Sequence, residues 1–573
     1  MLLPARCERL NRTVSGNTFP TLTSLDKTVA MPDEGKRPSD DEQEDVISKA
    51  IGEFGRWQLL FTFLLSLVNI PCTWHIFAPT FHSAERDTWC ARPAIFADVA
   101  PSVWKNCTGQ ADGYCWMLDA NAWNATGGHF CEDPNALERV KCRGWEFAGE
   151  GETIISEFNL VCDRQSLNSF GEMMFLAGVA IGGLVCGILS DKYGRKRTLM
   201  ASILIQTLLG TVIAFSPWFL MYAFLRAALG FISVSVVFSG FVLTIELVGG
   251  DWRTVAGISY LFPVSLSYVT IAGIAWLLKD WRQLQLAISL PGFLFLALWW
   301  YLPESPRWLL ALGRTQEVMV ILEKAARFNG RELPPNIDKQ LLPESADEPA
   351  ENVSVADLFK TAPMRKRTVC LFLIWFSVYL VYYGLVLNLG NIGGNLYVNS
   401  VLQGAVEIPA VAISIFILLK SGRRWPLSLT MIISGVACAC TLPLYLFADL
   451  QWVTTSLTML SKFCISSSNA VMPVFTAELY PTTIRNIGVG AANVSAGIAL
   501  MLVPYLWNLS SIHASVPMSV LAVFGILGGL SVLFLPETGG SRLVDTIKEE
   551  KHAARMSDIE NSQIKKINNN CCT

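Results

Sequence analysis

A few ionisable and aromatic side chains stand alone inside otherwise apolar stretches of this chain. Glu407 lies in "QGAVEIPA", Lys462 in "TMLSKFCISSS" and His75 in "PCTWHIFAP". An ionisable group at bilayer depth is costly to hold and is usually functional. Glu407 can pair with an ammonium group or carry a proton; the alternative is a structural hydrogen bond to a neighbouring helix. Lys462 can take a carboxylate, or pair internally with an acid such as Glu407. His75 has an imidazole that can shuttle a proton near neutral pH, or simply pack. Trp375, Tyr379, Tyr382 and Tyr383 recur at i, i+4, i+7 and i+8, which places them on one helix face. Each such ring attracts an ammonium by about 0.5–2 kcal/mol. One carboxylate beside them suits a primary or quaternary amine. Helix packing or an interfacial aromatic belt is the competing explanation. If Lys462 shares a cavity with Glu407, a zwitterion fits better still.

A second set of charges is duplicated. "TIELVGGDWRTVAG" carries Glu246 and Arg253, and "TAELYPTTIRNIG" carries Glu478 and Arg485, an offset of 232 for both residues (246 to 478, 253 to 485). "LPESPRW" with Glu304 and "LPETGG" with Glu537 repeat 233 apart; "DKYGRKR" with Gly194 and "KSGRRWP" with Gly422 repeat 228 apart. Landmarks at a nearly constant offset make the chain two related halves, an arrangement used by transporters.

The elements that must position these groups follow from composition. Of 573 residues, 52% are hydrophobic and 16% charged, and mean hydropathy is +0.40. A soluble core of that apolarity would be implausibly large. Bilayer spans need roughly 20 apolar residues each. Twelve are expected, near 57–80, 168–189, 199–215, 218–245, 255–278, 282–302, 369–389, 395–419, 426–448, 452–477, 487–509 and 515–535. The fold expected is therefore all-α and membrane-embedded, with twelve transmembrane helices in two pseudo-symmetric six-helix bundles. The domains are a tail at 1–50, a first bundle at 51–302, a linker at 303–367, a second bundle at 368–536 and a tail at 537–573. The start lacks the apolar core of a cleavable signal peptide. Pro71, Pro263, Pro291, Pro409, Pro443 and Pro504 are expected to interrupt helices.

Orientation follows from basic residues in short loops. Lys192, Arg195, Lys196 and Arg197 lie between spans two and three; Lys420, Arg423 and Arg424 lie between eight and nine. Those loops and the linker fall on one side, which is expected to be cytoplasmic, with both termini. Lys279 and Arg282, between spans five and six, go against that rule. The large loop at 81–166 falls opposite. It contains Cys90, Cys107, Cys115, Cys131, Cys142 and Cys162. Six cysteines with no CxxC pair point to three disulfides rather than a metal site, with the pairing open. Sequons at Asn106 and Asn124 are candidate glycosylation sites in the same loop.

"GILSDKYGRKR" resembles the G-x-x-x-D-x-x-G-R-[RK] signature of the major facilitator superfamily, with Gly187, Asp191, Gly194, Arg195 and Lys196 matching. Asp191, Arg195, Glu246 and Arg253, and Arg423, Glu478 and Arg485 in the second half, are expected to form salt-bridge networks. The expectation is that they latch the cytoplasmic face and break when it opens. The match narrows with "VISKAIGEFGRWQ", the six-cysteine loop, "PESPRWLLALGR", "GNLYVNSVLQGAVEIPA" and "AELYPTTIRNIGVG". Together these resemble the organic cation, anion and zwitterion transporters over about 46–545. The resemblance implies a polyspecific plasma-membrane carrier with a central site between two bundles. Glu407 matches the glutamate of cation-carrying members. The lysine and arginine of anion-carrying members are replaced by Val411 and Gly497, and the aspartate of many cation carriers is also replaced by Gly497.

The candidate substrate site is thus Glu407, Trp375, Tyr379, Tyr382, Lys462 and His75. The expected substrate is a small organic cation or a zwitterion of carnitine-like type. A proton- or sodium-coupled zwitterion symporter is the alternative; an anion exchanger and a non-transporting receptor rank below. An enzyme is not expected, because no P-loop, metal-ligand cluster or nucleophile motif appears. Neither a cofactor nor a nucleic-acid signature appears.

Overall fold

The computed structural model describes residues 47–538, apart from 85, 93–95, 108–114, 119–138, 251, 336, 338–340, 342–354, 388–393, 447–450 and 482–483. All of these belong to one compact unit, Glu44–Thr573. Its helices follow the expected order. Span one is Arg56–Leu67 continued by Asn69–His82; spans two, three and four are Gln165–Tyr193, Arg195–Ile213 and Phe219–Glu246. Span five is Trp252–Ser259 continued by Phe262–Leu277, and span six begins at Trp281–Ser289. Spans seven to twelve are Ala362–Val386, Leu396–Lys420, Arg424–Cys440, Gln451–Leu479, Arg485–Leu506 and Val516–Val532.

By length and apolarity, nine helical segments among the described residues are long enough to cross a membrane. The other three depart for visible reasons. Span three opens on Arg195, Lys196 and Arg197; span ten is rich in serine and threonine and carries Lys462 and Glu478; span twelve is 17 residues long. Their neighbours carry them. Within each half, close backbone approach takes the place of a hydrophobic drive that lipid cannot supply. A Cβ on Gly178 of span two would lie 2.0 Å from the Ala227 carbonyl oxygen of span four. Gly525 of span twelve likewise meets the Gly435 backbone of span nine, where a Cβ would lie 2.8 Å from its Cα.

The prolines act in two ways. Pro263 and Pro291 sit at breaks, after the turn at Tyr260–Leu261 and after Leu290, where a residue without an N–H costs no helical hydrogen bond. Pro409 and Pro504, expected as interruptions, lie inside continuous helices.

The described part of the large loop contains two short antiparallel ribbons. β1 (Thr88–Cys90) pairs with β4 (Trp145–Phe147), and β2 (Trp116–Leu118) pairs with β3 (Arg139–Lys141). Cys90 meets Cys142 and Cys115 meets Cys162 as sulfur pairs, with Cα atoms 5.5 and 5.6 Å apart. Trp104 is fully buried and donates to the Cys90 carbonyl at 2.9 Å. Cys131, Asn124 and the side chains of Cys107 and Asn106 lie outside the described residues.

Candidate functional site

Glu407 and Lys462 come together at the middle of the molecule. Glu407 lies near the centre of span eight and Lys462 in span ten, and both are buried. Glu407 Oε2 and Lys462 Nζ are 3.3 Å apart, an ion pair without hydrogen-bond geometry. The other carboxylate oxygen accepts from the Tyr382 hydroxyl of span seven at 2.6 Å. Tyr382 and Tyr268 place their hydroxyls 3.3 Å apart. The Lys462 ammonium lies 3.4 Å from the Tyr382 ring centroid and 5.5 Å from that of Tyr268. The group is therefore a cation enclosed by a carboxylate and two aromatic faces. A ligand ammonium could occupy the same surroundings.

Tyr268 belongs to span five, in the first half, so this cluster crosses the boundary between halves. Ser400 of span eight donates to the Tyr268 carbonyl at 3.0 Å. Ser169 of span two donates to Asn508 beyond span eleven at 3.2 Å. Phe81 stacks on Tyr397 at 5.9 Å, again across the halves. These cross-half contacts run from the large-loop face to mid-depth.

The aromatic row of span seven divides. Tyr382 faces Glu407. Trp375 is tied by its indole N–H to Thr476 Oγ1 of span ten at 2.9 Å, and it stacks on Tyr379 at 5.8 Å. Tyr379 and Tyr383 stack on each other at 5.8 Å and pack into a cluster with Phe175, Tyr222 and Trp281 of the first half. Positions i and i+4 are thus stacked partners, and the i+7 residue alone reaches the carboxylate.

His75 departs from the expectation. It is buried inside the first bundle, where a Cβ on Gly210 of span three would come within 3.0 Å of its Cε1. Its carbonyl accepts from Arg226 Nη1 at 3.0 Å. The helical register of span one turns His75 toward spans three and four, away from Glu407.

At the basic face the duplicated charges form duplicated contacts. Arg195 Nε lies 3.1 Å from Glu246, and its Nη2 lies 2.9 Å from Asp191. Arg423 Nη2 lies 3.1 Å from Glu478. Both pairs stay within one half. Of the residues expected to join the loop motifs, the two glutamates do so, and the arginines seven residues on are placed otherwise. Arg253 turns to the Val248 carbonyl at 3.1 Å. Arg485 has buried Nε and Nη2 atoms with no hydrogen-bond partner among the described residues.

The other landmarks join the same construction, a connection their spacing alone did not reveal. Gly194 and Gly422 adopt φ of +98° and +78°, conformations that glycine reaches freely. Over each turn sits a glutamate from the far end of its half. Glu304 accepts from the Lys196 backbone N–H at 2.9 Å, and Glu537 from that of Arg423 at 2.8 Å. Each carboxylate satisfies an orphan donor at a helix start.

Comparison with known proteins agrees with this geometry. Residues 155–547 match the family described as "Sugar (and other) transporter". An organic cation transporter protein of Drosophila melanogaster is 34% identical over 518 residues, covering 88% of this chain and 94% of the relative. Human solute carrier family 22 member 13 is 34% identical over 509 residues, covering 87% and 91%. Rat solute carrier family 22 member 2 is 34% identical over 539 residues, covering 89% and 96%. Among solved structures, an inward-open xylose transporter from E. coli matches with a TM-score of 0.56 at 16% identity, covering 85% of this chain and 98% of its own. The fold is the major facilitator fold, and its relatives are carriers rather than enzymes. The chain belongs to the organic cation, anion and zwitterion transporter family of the major facilitator superfamily.

Proposed function

We propose that this chain carries small organic cations or zwitterions across the plasma membrane by alternating access, with Glu407 as the carboxylate that receives the ammonium. The observation that supports this is the buried Glu407–Lys462 pair. Glu407 Oε2 and Lys462 Nζ retain unused hydrogen-bonding capacity, and the Tyr382 and Tyr268 rings already enclose a cation there. A substrate ammonium would take the place that the lysine occupies. A zwitterion would do more, giving its ammonium to Glu407 and its carboxylate to Lys462. Lys462 therefore favours the second reading, a coupled zwitterion symporter.

The basic face is assigned to the cytoplasm with both termini, and the large loop to the outside, where its cysteines form disulfides and Asn106 and Asn124 accept glycans. The cross-half contacts at the loop face fit a state closed to the outside. The test is uptake of labelled cationic, zwitterionic and anionic amines and acids into cells expressing the chain. It is run with and without sodium, at two pH values and two membrane potentials. Potential-driven uptake of cations alone supports the first reading, and ion-dependent uptake of zwitterions the second. Uptake of anions alone, or binding without translocation, would overturn both.

A further inference from the structure

At the outer rim a cavity of about 240 Å3 lies between the halves. Phe81 and Trp281 come from the first half, Leu396 and Tyr397 from span eight, and Arg86 and Thr153 from the large loop. The Phe81 and Tyr397 rings lie 19° from parallel, so they form an aromatic surface shared by the two halves. Lys279 holds its ammonium 5.4 Å from the Tyr397 ring centroid. Arg86 gives its N–H groups to the neutral carbonyls of Gly151 and Glu150, at 2.6 and 2.9 Å. Asp280 is the acid in the wall, but its Oδ1 accepts from the backbone N–H groups of Arg282 and Gln283 and so caps span six. Arg282 is taken by Glu157. No carboxylate among the described residues forms an ion pair with Lys279 or Arg86.

We propose that this cavity binds a small organic carboxylate with an aromatic or compact apolar body. The carboxylate sits between Lys279 and Arg86, and the body lies on the Phe81–Tyr397 surface beside Leu278, Leu284 and Leu396. Charge-assisted hydrogen bonds to two cations fix the head, and the apolar part of the wall accepts the rest. This accounts for Lys279, a basic residue on the face where the charge rule disfavours it. The site is not the central one: Tyr397 and Glu407 are ten residues apart on one helix, about 15 Å along it. Because both halves contribute walls, a bound carboxylate favours the arrangement with the outer rim closed. From outside, it slows turnover without competing with substrate.

The test uses the purified full-length chain with benzoate as probe and benzamide as its neutral isostere. Saturable thermal stabilisation by benzoate and none by benzamide is expected. Lys279→Gln, at an exposed side chain, weakens the benzoate effect about tenfold, and Leu396→Trp, which fills the cavity, removes it. Equal stabilisation by benzamide, or an unchanged response in both variants, overturns the proposal. This arm requires no transport, so it stands or falls apart from the proposed function. In cells that take up substrate, external benzoate lowers the maximal rate and leaves KM unchanged. Competitive inhibition that persists in Lys279→Gln places the carboxylate elsewhere and also overturns the proposal.

Discussion

Glu407 holds one carboxylate oxygen 3.3 Å from Lys462 Nζ while the other takes the Tyr382 hydroxyl at 2.6 Å. Both charges are buried, and each is the other's compensation. Removing one partner of a buried pair costs about 3–5 kcal/mol, whereas replacing both with neutral groups is often nearly neutral. Glu407→Gln and Lys462→Met are therefore each expected to lower the unfolding temperature of the purified chain, and the double variant to recover most of the loss. Uptake is expected to fall in all three. Thermal unfolding and uptake, measured together, separate the roles. Recovery of uptake in the double variant would make the pair structural only.

Tyr382→Phe keeps the ring that faces Lys462 and deletes the hydroxyl that donates to Glu407. A hydrogen bond to a charged group contributes about 1.5–3 kcal/mol, a neutral one about 0.5–1.5. Tyr268→Phe, which loses only a 3.3 Å contact between neutral hydroxyls, is expected to have the smaller effect on KM for a cationic substrate. Equal effects in concentration-dependent uptake would show that the Tyr382 hydroxyl does not act through Glu407.

Arg195 with Glu246, and Arg423 with Glu478, brace each half internally. These pairs are partly exposed, so each contributes about 1 kcal/mol or less. Arg423→Glu is expected to reduce turnover, and exchanging the two charges, Arg423→Glu with Glu478→Arg, to restore part of it. A pair that latched one half to the other would not be rescued by an exchange confined to one half. Arg485 differs. Its buried Nε and Nη2 have no partner among the described residues, and burying unpaired donors is costly. Arg485→Ala is expected to leave thermal stability intact while lowering turnover, since under the proposed cycle its partner is gained when the basic face closes. Normal uptake in that variant would end the case for its part in the cycle.

Much of this was legible in the sequence, for identifiable reasons. Spans announce themselves by length and apolarity, and the duplicated Glu, Arg, Gly and Pro-Glu landmarks announce two halves. Glu407 and Lys462 stand out because charge at that depth is rare. What a linear reading misses is partnership between helices. Tyr268 carries no charge and sits in "SLSYVT" without a neighbour to mark it, yet it is the first half's contribution to the central cluster. His75 can titrate, but its direction depends on the rotation of span one, which periodicity does not fix in a helix whose buried polar residues lie on more than one side. The contact between Glu304 and the start of span three joins residues 108 apart in sequence.

The last prediction concerns the large loop, on the proposed assignment of that loop to the outside. Glu146 is partly shielded from water, which alone would raise its pKa. Donation from the Arg92 backbone N–H at 2.9 Å, the Trp89 indole at 2.9 Å and the Arg92 guanidinium prevails and holds it below its ordinary value of 4.5. A carboxylate whose pKa is lower in the folded loop stabilises that loop fully above pH 4.5. The contribution fades as pH falls from there through the folded-state value. Protease resistance of the outer loop on intact cells is therefore expected to decline below about pH 4.5. Glu146→Gln is expected to lower that resistance at neutral pH and to flatten its acid dependence. An unchanged acid profile in the variant would assign the loss to other carboxylates. The strand pairing of Trp89 with Glu146 would then hold the loop by its backbone alone.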